Sequence, residues 1–158
     1  MTAHDAPHDS PNAAPKEPAQ DPMSGDELRA RRGLLSSASS PATGHDYLID
    51  LHIVLRLTSR PDALDLRLRY VPERDLVDND QLRAYWQYVE GYAWPTLASL
   101  ALSVLEDMNN EVIPRWLQVQ VRDSALNERC QDQMITGEER QPGWHNQHLL
   151  GRIGRVEF

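Results

Sequence analysis

LRLRYVPERDLVDNDQLRAYWQYVEGYAWPTLASLALSVLEDMNNEVIPRWLQVQV, from Leu66 to Val121, is the stretch that decides the fold. It opens as a strand, with Leu66, Leu68 and Tyr70 alternating with Arg67 and Arg69, because successive strand side chains point to opposite faces. Pro72 removes a ladder donor and ends the strand. Asp78 is placed to cap a helix, with Gln81 three positions on in a capping-box arrangement. Leu82, Tyr85, Trp86 and Val89 then fall on one stripe, and Gly91 supplies a stop. Pro95 suits the first turn of a second helix. The buried face of that helix is Leu97, Ala101, Val104, Leu105 and Met108, widened by Leu100, before Asn109, Asn110 and Pro114 end it. Leu117, Val119 and Val121 alternate with Gln118 and Gln120 in a further strand. The order is strand, helix, helix, strand.

Upstream, Tyr47, Ile49, Leu51, Ile53, Leu55 and Leu57 alternate with Leu48, Asp50, His52, Val54, Arg56 and Thr58, predicting a long strand. Ser59-Arg60-Pro61-Asp62 is turn material leading to the strand Leu64–Tyr70. So short a turn predicts an antiparallel hairpin, since parallel neighbours need a long crossover. Downstream, Asn127 to Trp144 reads as polar and irregular, broken by Gly137, Pro142 and Gly143. Leu149 to Phe158 reads as a last strand carrying Ile153, Val156 and Phe158. The predicted class is α+β: an antiparallel sheet with two antiparallel helices on one face, in the order ββααββ.

Residues 1–44 read as a disordered tail ahead of a domain spanning 45–158. Pro7, Pro11, Pro15, Pro18 and Pro22 break regular pairing, and few large apolar residues offset the ordering entropy. Within the tail, Ser24 to Arg32 could form a short helix with acids first and bases last, matching the helix dipole. The 24 Asp and Glu against 16 Lys and Arg argue against binding a nucleic-acid backbone. A single cysteine, Cys130, excludes an internal disulfide and fits a reducing compartment. No apolar run approaches the ~18 residues of a membrane span, and the N-terminus lacks the pattern of a secretory signal. A cytoplasmic protein with no membrane contact is expected.

The segment from Pro61 to Val119 resembles the nitrile reductases of queuosine biosynthesis, which belong to the tunnelling (T-fold) group alongside GTP cyclohydrolase. The matching residues are Arg69-Tyr70-Val71-Pro72-Glu73, then Leu76-Val77-Asp78 leading into Leu82-Arg83-Ala84-Tyr85. Val104-Leu105-Glu106-Asp107-Met108 and Pro114-Arg115-Trp116-Leu117-Gln118-Val119 follow in one collinear block. The resemblance implies a T-fold domain, NADPH as cofactor, and a homo-oligomer joined through sheet edges or a complex with a second T-fold protein. Exposed strand edges make such joining physically sensible.

In that family a cysteine just after the first strand attacks the nitrile carbon to give a thioimide, because so poor an electrophile needs a thiolate. An aspartate a few residues later handles protons, a Phe-His-Glu segment opening the second helix anchors the base, and Glu-Ser-Lys-Ser opening the first helix helps hold NADPH. Here Leu55 to Arg60 contains no cysteine, and Asp62 matches the aspartate in position alone. Leu97 and Ala98 fall where the His-Glu pair belongs, and Asp78-Asn79-Asp80-Gln81 has no lysine. No catalytic residue is therefore assigned. The candidate ligand contacts are Asp62, Asp78, Arg83 and Glu90, the last as a substitute base anchor. Capping by itself accounts for the placement of Asp78, and a solvated loop acid is the plainer reading of Glu90. Tyr85, Trp86, Tyr92 and Trp94 could stack on a base or serve as core.

Cys130, His145 and His148 contain metal-ligating types, but one cysteine in a Gly, Asn and Gln-rich segment is a poor zinc set. No metal is expected. The reading is a relative of these reductases that lacks the standard chemistry and binds a purine-like base or a partner. The alternative is an active oxidoreductase or cyclohydrolase-like enzyme with relocated or partner-supplied residues.

Overall fold

Alternation over Ile49–Leu55 and Leu64–Val71 sets two strands whose inner residues meet in register. Ile49 faces Tyr70, Leu51 faces Leu68, Ile53 faces Leu66 and Leu55 faces Leu64. In the computed structural model, which describes residues 24–124 and 132–153, the elements run α1 (Gly25–Arg32), β1 (Ser37–Ser39), β2 (Ile49–Leu55), β3 (Leu64–Val71), β4 (Asp75–Val77), α2 (Asn79–Gly91), α3 (Leu97–Glu111), β5 (Trp116–Asp123), β6 (Gln133–Arg140) and α4 (Gln147–Arg152). β2-β3-β5-β6 form a four-stranded sheet, antiparallel throughout, and β1-β4 a small second one.

One face of the larger sheet carries Leu55, Leu64, Leu66, Leu68, Leu117, Val119 and Val121 into a single apolar core. Leu82, Tyr85 and Val89 of α2 and Leu100, Ala101, Val104, Leu105 and Met108 of α3 close it from the other side. The expected α+β layout and the expected helix stripes are what the chain adopts. Asp78 caps α2 as expected, its carboxylate accepting the Asp80 N–H, but the expected capping box with Gln81 does not form, because the Asp78 N–H donates to the Ser36 carbonyl instead. Pro95, by contrast, lies just outside α3. Thr96 is the cap, accepting the Ser99 N–H at 3.0 Å while Ser99 Oγ accepts the Thr96 N–H at 3.1 Å.

Three expectations are corrected. The stretch read as irregular contains β6, which pairs with β5 from Trp116↔Arg140 to Asp123↔Gln133. Its register puts Gly137 beside Val119 and Ile135 beside Val121. The strand is exposed except at Ile135 and Gly137, so an edge held by backbone bonds leaves almost no apolar pattern to read. The expected last strand is α4 as far as Arg152, capped by the Asn146 side chain; Val156 and Phe158 lie outside the described residues. The tail is the third. Met1 to Met23 lie outside the described residues, but α1 and β1 are ordered, and Arg31 of α1 is 1% exposed. The segment has few hydrophobes to bury, but α1 is docked by buried charge instead. Among the described residues no helix is long and apolar enough to cross a membrane.

Candidate functional site

A cleft of about 330 Å³ opens between the end of the β2–β3 hairpin and the start of α3, lined by Leu57, Ser59, Arg60, Trp94, Pro95, Thr96, Leu97 and Leu100. Each wall is a short irregular segment pinned by its neighbours. On the hairpin side the Arg60 N–H closes a turn onto the Leu57 carbonyl at 3.3 Å. Glu90, at the end of α2, accepts the Arg56 N–H through its carboxylate at 2.8 Å and the Thr58 N–H through its carbonyl at 2.9 Å. The Arg60 guanidinium reaches the end of β5, where Nη2 donates to Asp123 at 2.8 Å. Its Nε is buried with no hydrogen-bond partner among the described residues.

On the helix side the Trp94 indole N–H donates to the Val89 carbonyl at 2.8 Å. The ring meets Tyr92 edge to face, with centroids 4.7 Å apart, and the Arg31 guanidinium carbon stands 5.4 Å from its centroid. Arg31 is in turn clamped by Asp107 of α3, which also accepts the Tyr85 hydroxyl at 2.8 Å and the Arg32 Nε at 3.1 Å. Burial, reinforced by the adjacent Asp107 carboxylate, pushes the Tyr85 phenol well above its ordinary value. Tyr85 is therefore a neutral donor in this network.

The cleft lies between the turn after the first core strand and the opening of the second core helix. Its lining offers aliphatic walls, one indole, two hydroxyls and one guanidinium. None of these lining residues is a cysteine, histidine or carboxylate. Among these lining residues, Ser59 consequently has no general base beside it and no thiol stands beside it to attack a nitrile.

The sequence-derived candidates are not gathered here. Asp62 is exposed in the same turn as Arg60 but outside the lining. Asp78 caps α2, and its N–H donates to the Ser36 carbonyl at 3.0 Å. Arg83 is exposed on α2. Glu90 is half-buried, with one carboxylate oxygen committed to the Arg56 amide. Of the aromatic candidates Tyr85 is core, Trp86 packs against it, and Trp94 reaches the cleft. His145 and His148 are exposed, and Cys130 lies outside the described residues.

The start of α2, where the resemblance puts a cofactor contact, fits NADPH poorly. The Asp78 carboxylate already occupies the Asp80 N–H, and Asp80 adds a second negative charge in the first turn. Both disfavour a phosphate at that helix end.

Sequence reasoning missed Arg60 as a lining residue, and it missed Arg31 and Asp107 as a buried pair. A signal existed for Asp107. It follows Val104 by three positions and precedes Met108 directly, inside the apolar stripe of α3. A carboxylate on such a stripe calls for a compensating partner elsewhere in the chain.

No protein-family profile matches the chain. It is similar to an NADPH-dependent 7-cyano-7-deazaguanine reductase of Acidithiobacillus ferrooxidans, 25% identical over 130 residues, which cover 78% of this chain and 89% of the relative. The protein of the same description from Magnetococcus marinus is 26% identical over 103 residues, 61% of this chain and 79% of the relative. The one from Nitrosococcus oceani is 27% identical over 120 residues, 70% of this chain and 87% of the relative.

Proposed function

Because the chain is a distant homologue of NADPH-dependent 7-cyano-7-deazaguanine reductases, we propose that it has their T-fold and uses its cleft to bind a purine-like base without reducing a nitrile. The observation that carries this reading is the lining of the cleft. Leu57, Ser59 and Arg60 stand on the hairpin side and Leu97 at the start of α3, where the family's cysteine and base-anchoring pair are expected. The four-stranded antiparallel sheet under two helices supports the fold assignment. A flat heterocycle fits between Trp94 and the aliphatic wall, with burial and stacking as its main source of affinity.

The protein acts as a homo-oligomer, or beside a second T-fold protein, joined through the edges of its larger sheet. β2 and β6 are those edges, and unpaired edge backbone is a ready template for another strand. Light scattering of the purified chain tests this; a monomer at micromolar concentration that ignores a co-expressed T-fold partner would count against it.

The chemical half is tested by incubating the protein with 7-cyano-7-deazaguanine and NADPH, with the Acidithiobacillus ferrooxidans relative run in parallel. Intact-mass spectrometry should find no adduct on this chain, absorbance should find no loss of NADPH, and calorimetry should find the base bound. An adduct that disappears in Cys130→Ser, together with NADPH consumption, would overturn the loss of reductase chemistry. Absence of binding would overturn the base-binding reading.

A further inference from the structure

We infer that Arg31, contributed by the N-terminal helix, is a positioning residue for the cleft: it holds the Trp94 ring in the orientation that forms one wall. The inference rests on the reading of the cleft as a binding site. Trp94 belongs to neither helix, standing in the connection between α2 and α3, so no backbone ladder fixes it. The Val89 carbonyl holds its indole nitrogen at 2.8 Å and Tyr92 meets it edge to face. The Arg31 guanidinium adds a contact over the ring at 5.4 Å.

Arg31 can do this because its own plane is fixed. Its Nε donates to Asp107 Oδ2 at 2.5 Å and its Nη2 to Oδ1 at 2.8 Å. The carboxylate is itself held by Tyr85 from α2 and by Arg32 from α1. A chain of contacts thus runs from α3 through Asp107 and Arg31 to the cleft wall. A buried ion pair adds little stability over apolar contact of the same volume, so docking α1 alone would be served by a leucine or methionine. What the guanidinium supplies in addition is a rigid, bidentate plane that also stacks on an aromatic ring. Lysine would keep the charge and lose the plane.

The test uses the full chain with ¹⁵N-labelled tryptophan, the Trp94 indole N–H resonance being identified by its loss in Trp94→Phe. Arg31→Lys should move that resonance and speed its hydrogen exchange, and should weaken binding of 7-cyano-7-deazaguanine by roughly threefold to tenfold. Arg32→Met removes a neighbouring ion pair to the same Asp107 without touching Trp94. It should lower the thermal midpoint and shift the indole signal and the affinity clearly less than Arg31→Lys does. Asp107→Asn, which keeps the shape of the carboxylate but weakens its grip, should reproduce the Arg31→Lys signature with smaller amplitude and covers the case in which Arg31→Lys fails to fold. An unmoved Trp94 resonance in both Arg31→Lys and Asp107→Asn would overturn the inference, as would an equal change in Arg32→Met. If the wild-type protein does not bind the base, the cleft reading falls, while the indole signal still decides the role of Arg31.

Discussion

Arg31 and Asp107, 76 positions apart, meet in the interior as a bidentate ion pair whose side chains are 1% and 0% exposed. The pair fastens α1 to α3, and the Tyr85 hydroxyl from α2 completes it.

Removing one partner should be severe. Asp107→Ala takes the bidentate carboxylate from the buried Arg31 and the acceptor from the Tyr85 hydroxyl, and a broken buried pair costs roughly 3–5 kcal/mol. Urea unfolding measures it. Arg31→Met combined with Asp107→Leu should recover part of that loss, because the fully buried cation is gone, although the Tyr85 hydroxyl and the Arg32 Nε still lose their acceptor. For the same reason truncation through Gly44, which would be silent if that whole segment were a solvated tether, should lower the thermal midpoint by many degrees. A neutral truncation would mean that the pair contributes nothing to holding the domain.

Ile113 follows the end of α3 with a φ of 48°, a left-handed conformation that a β-branched side chain rarely adopts. Its side chain is 59% exposed, so little packing is at stake. Ile113→Gly should stabilise the protein by about 0.5–1 kcal/mol, the scale of relief expected at a left-handed helix end. No gain in the denaturation midpoint would show that the exposed side chain serves some other contact.

Leu105 and Gly137 should be energetically coupled. A methyl built on Gly137 would lie 3.1 Å from Leu105 Cδ2 and 3.6 Å from Leu102 Cδ2. Leu105→Ala should cost roughly 2–5 kcal/mol through lost transfer energy and a residual cavity. Gly137→Ala alone should cost about 1 kcal/mol by crowding. Combined with Leu105→Ala it should be neutral or favourable, because the added methyl enters vacated space. Simple additivity of the two would mean that β6 and α3 are not packed as described.

Acid should loosen the attachment of the C-terminal segment to the sheet. Burial alone would raise the Asp46 carboxyl, but hydrogen bonds from Asn146, Arg115 and Trp144 outweigh it and hold the group below its ordinary value. The folded value is therefore depressed, so this contribution is fully present above the ordinary carboxylate range, near pH 4. It is lost as pH falls through the lower folded value. Unfolding free energy measured from pH 5 down to pH 2.5 should fall, and less steeply in Asp46→Asn. Identical slopes for the two proteins would remove Asp46 from the acid response.

How far the sequence reaches differs from element to element. The β2–β3 hairpin, the Asp78 cap and the stripe Leu100, Val104, Leu105 and Met108 were legible because each is a local statement. Side chains two, three or four positions apart share a face, and a capping oxygen reaches an amide two residues on. With the quoted motifs, the same local patterns also carried the resemblance to the reductases and the absence of a cysteine before Pro61. β6 was illegible because its backbone supplies the pairing while Gln133 to Arg140 turn only Ile135 and Gly137 inward. The last apolar residues suggested a strand, yet Leu149 and Leu150 lie in a short helix set by the Asn146 cap and by contacts of Asp46 with Trp144 and Asn146. Composition marked Arg31 as solvated, since a charge is normally cheapest in water. Only the folded chain brings Asp107 against it. The cleft belongs to the same class: Leu57 to Arg60 and Trp94 to Leu97 are separate irregular stretches, and tertiary packing makes them two walls of one site.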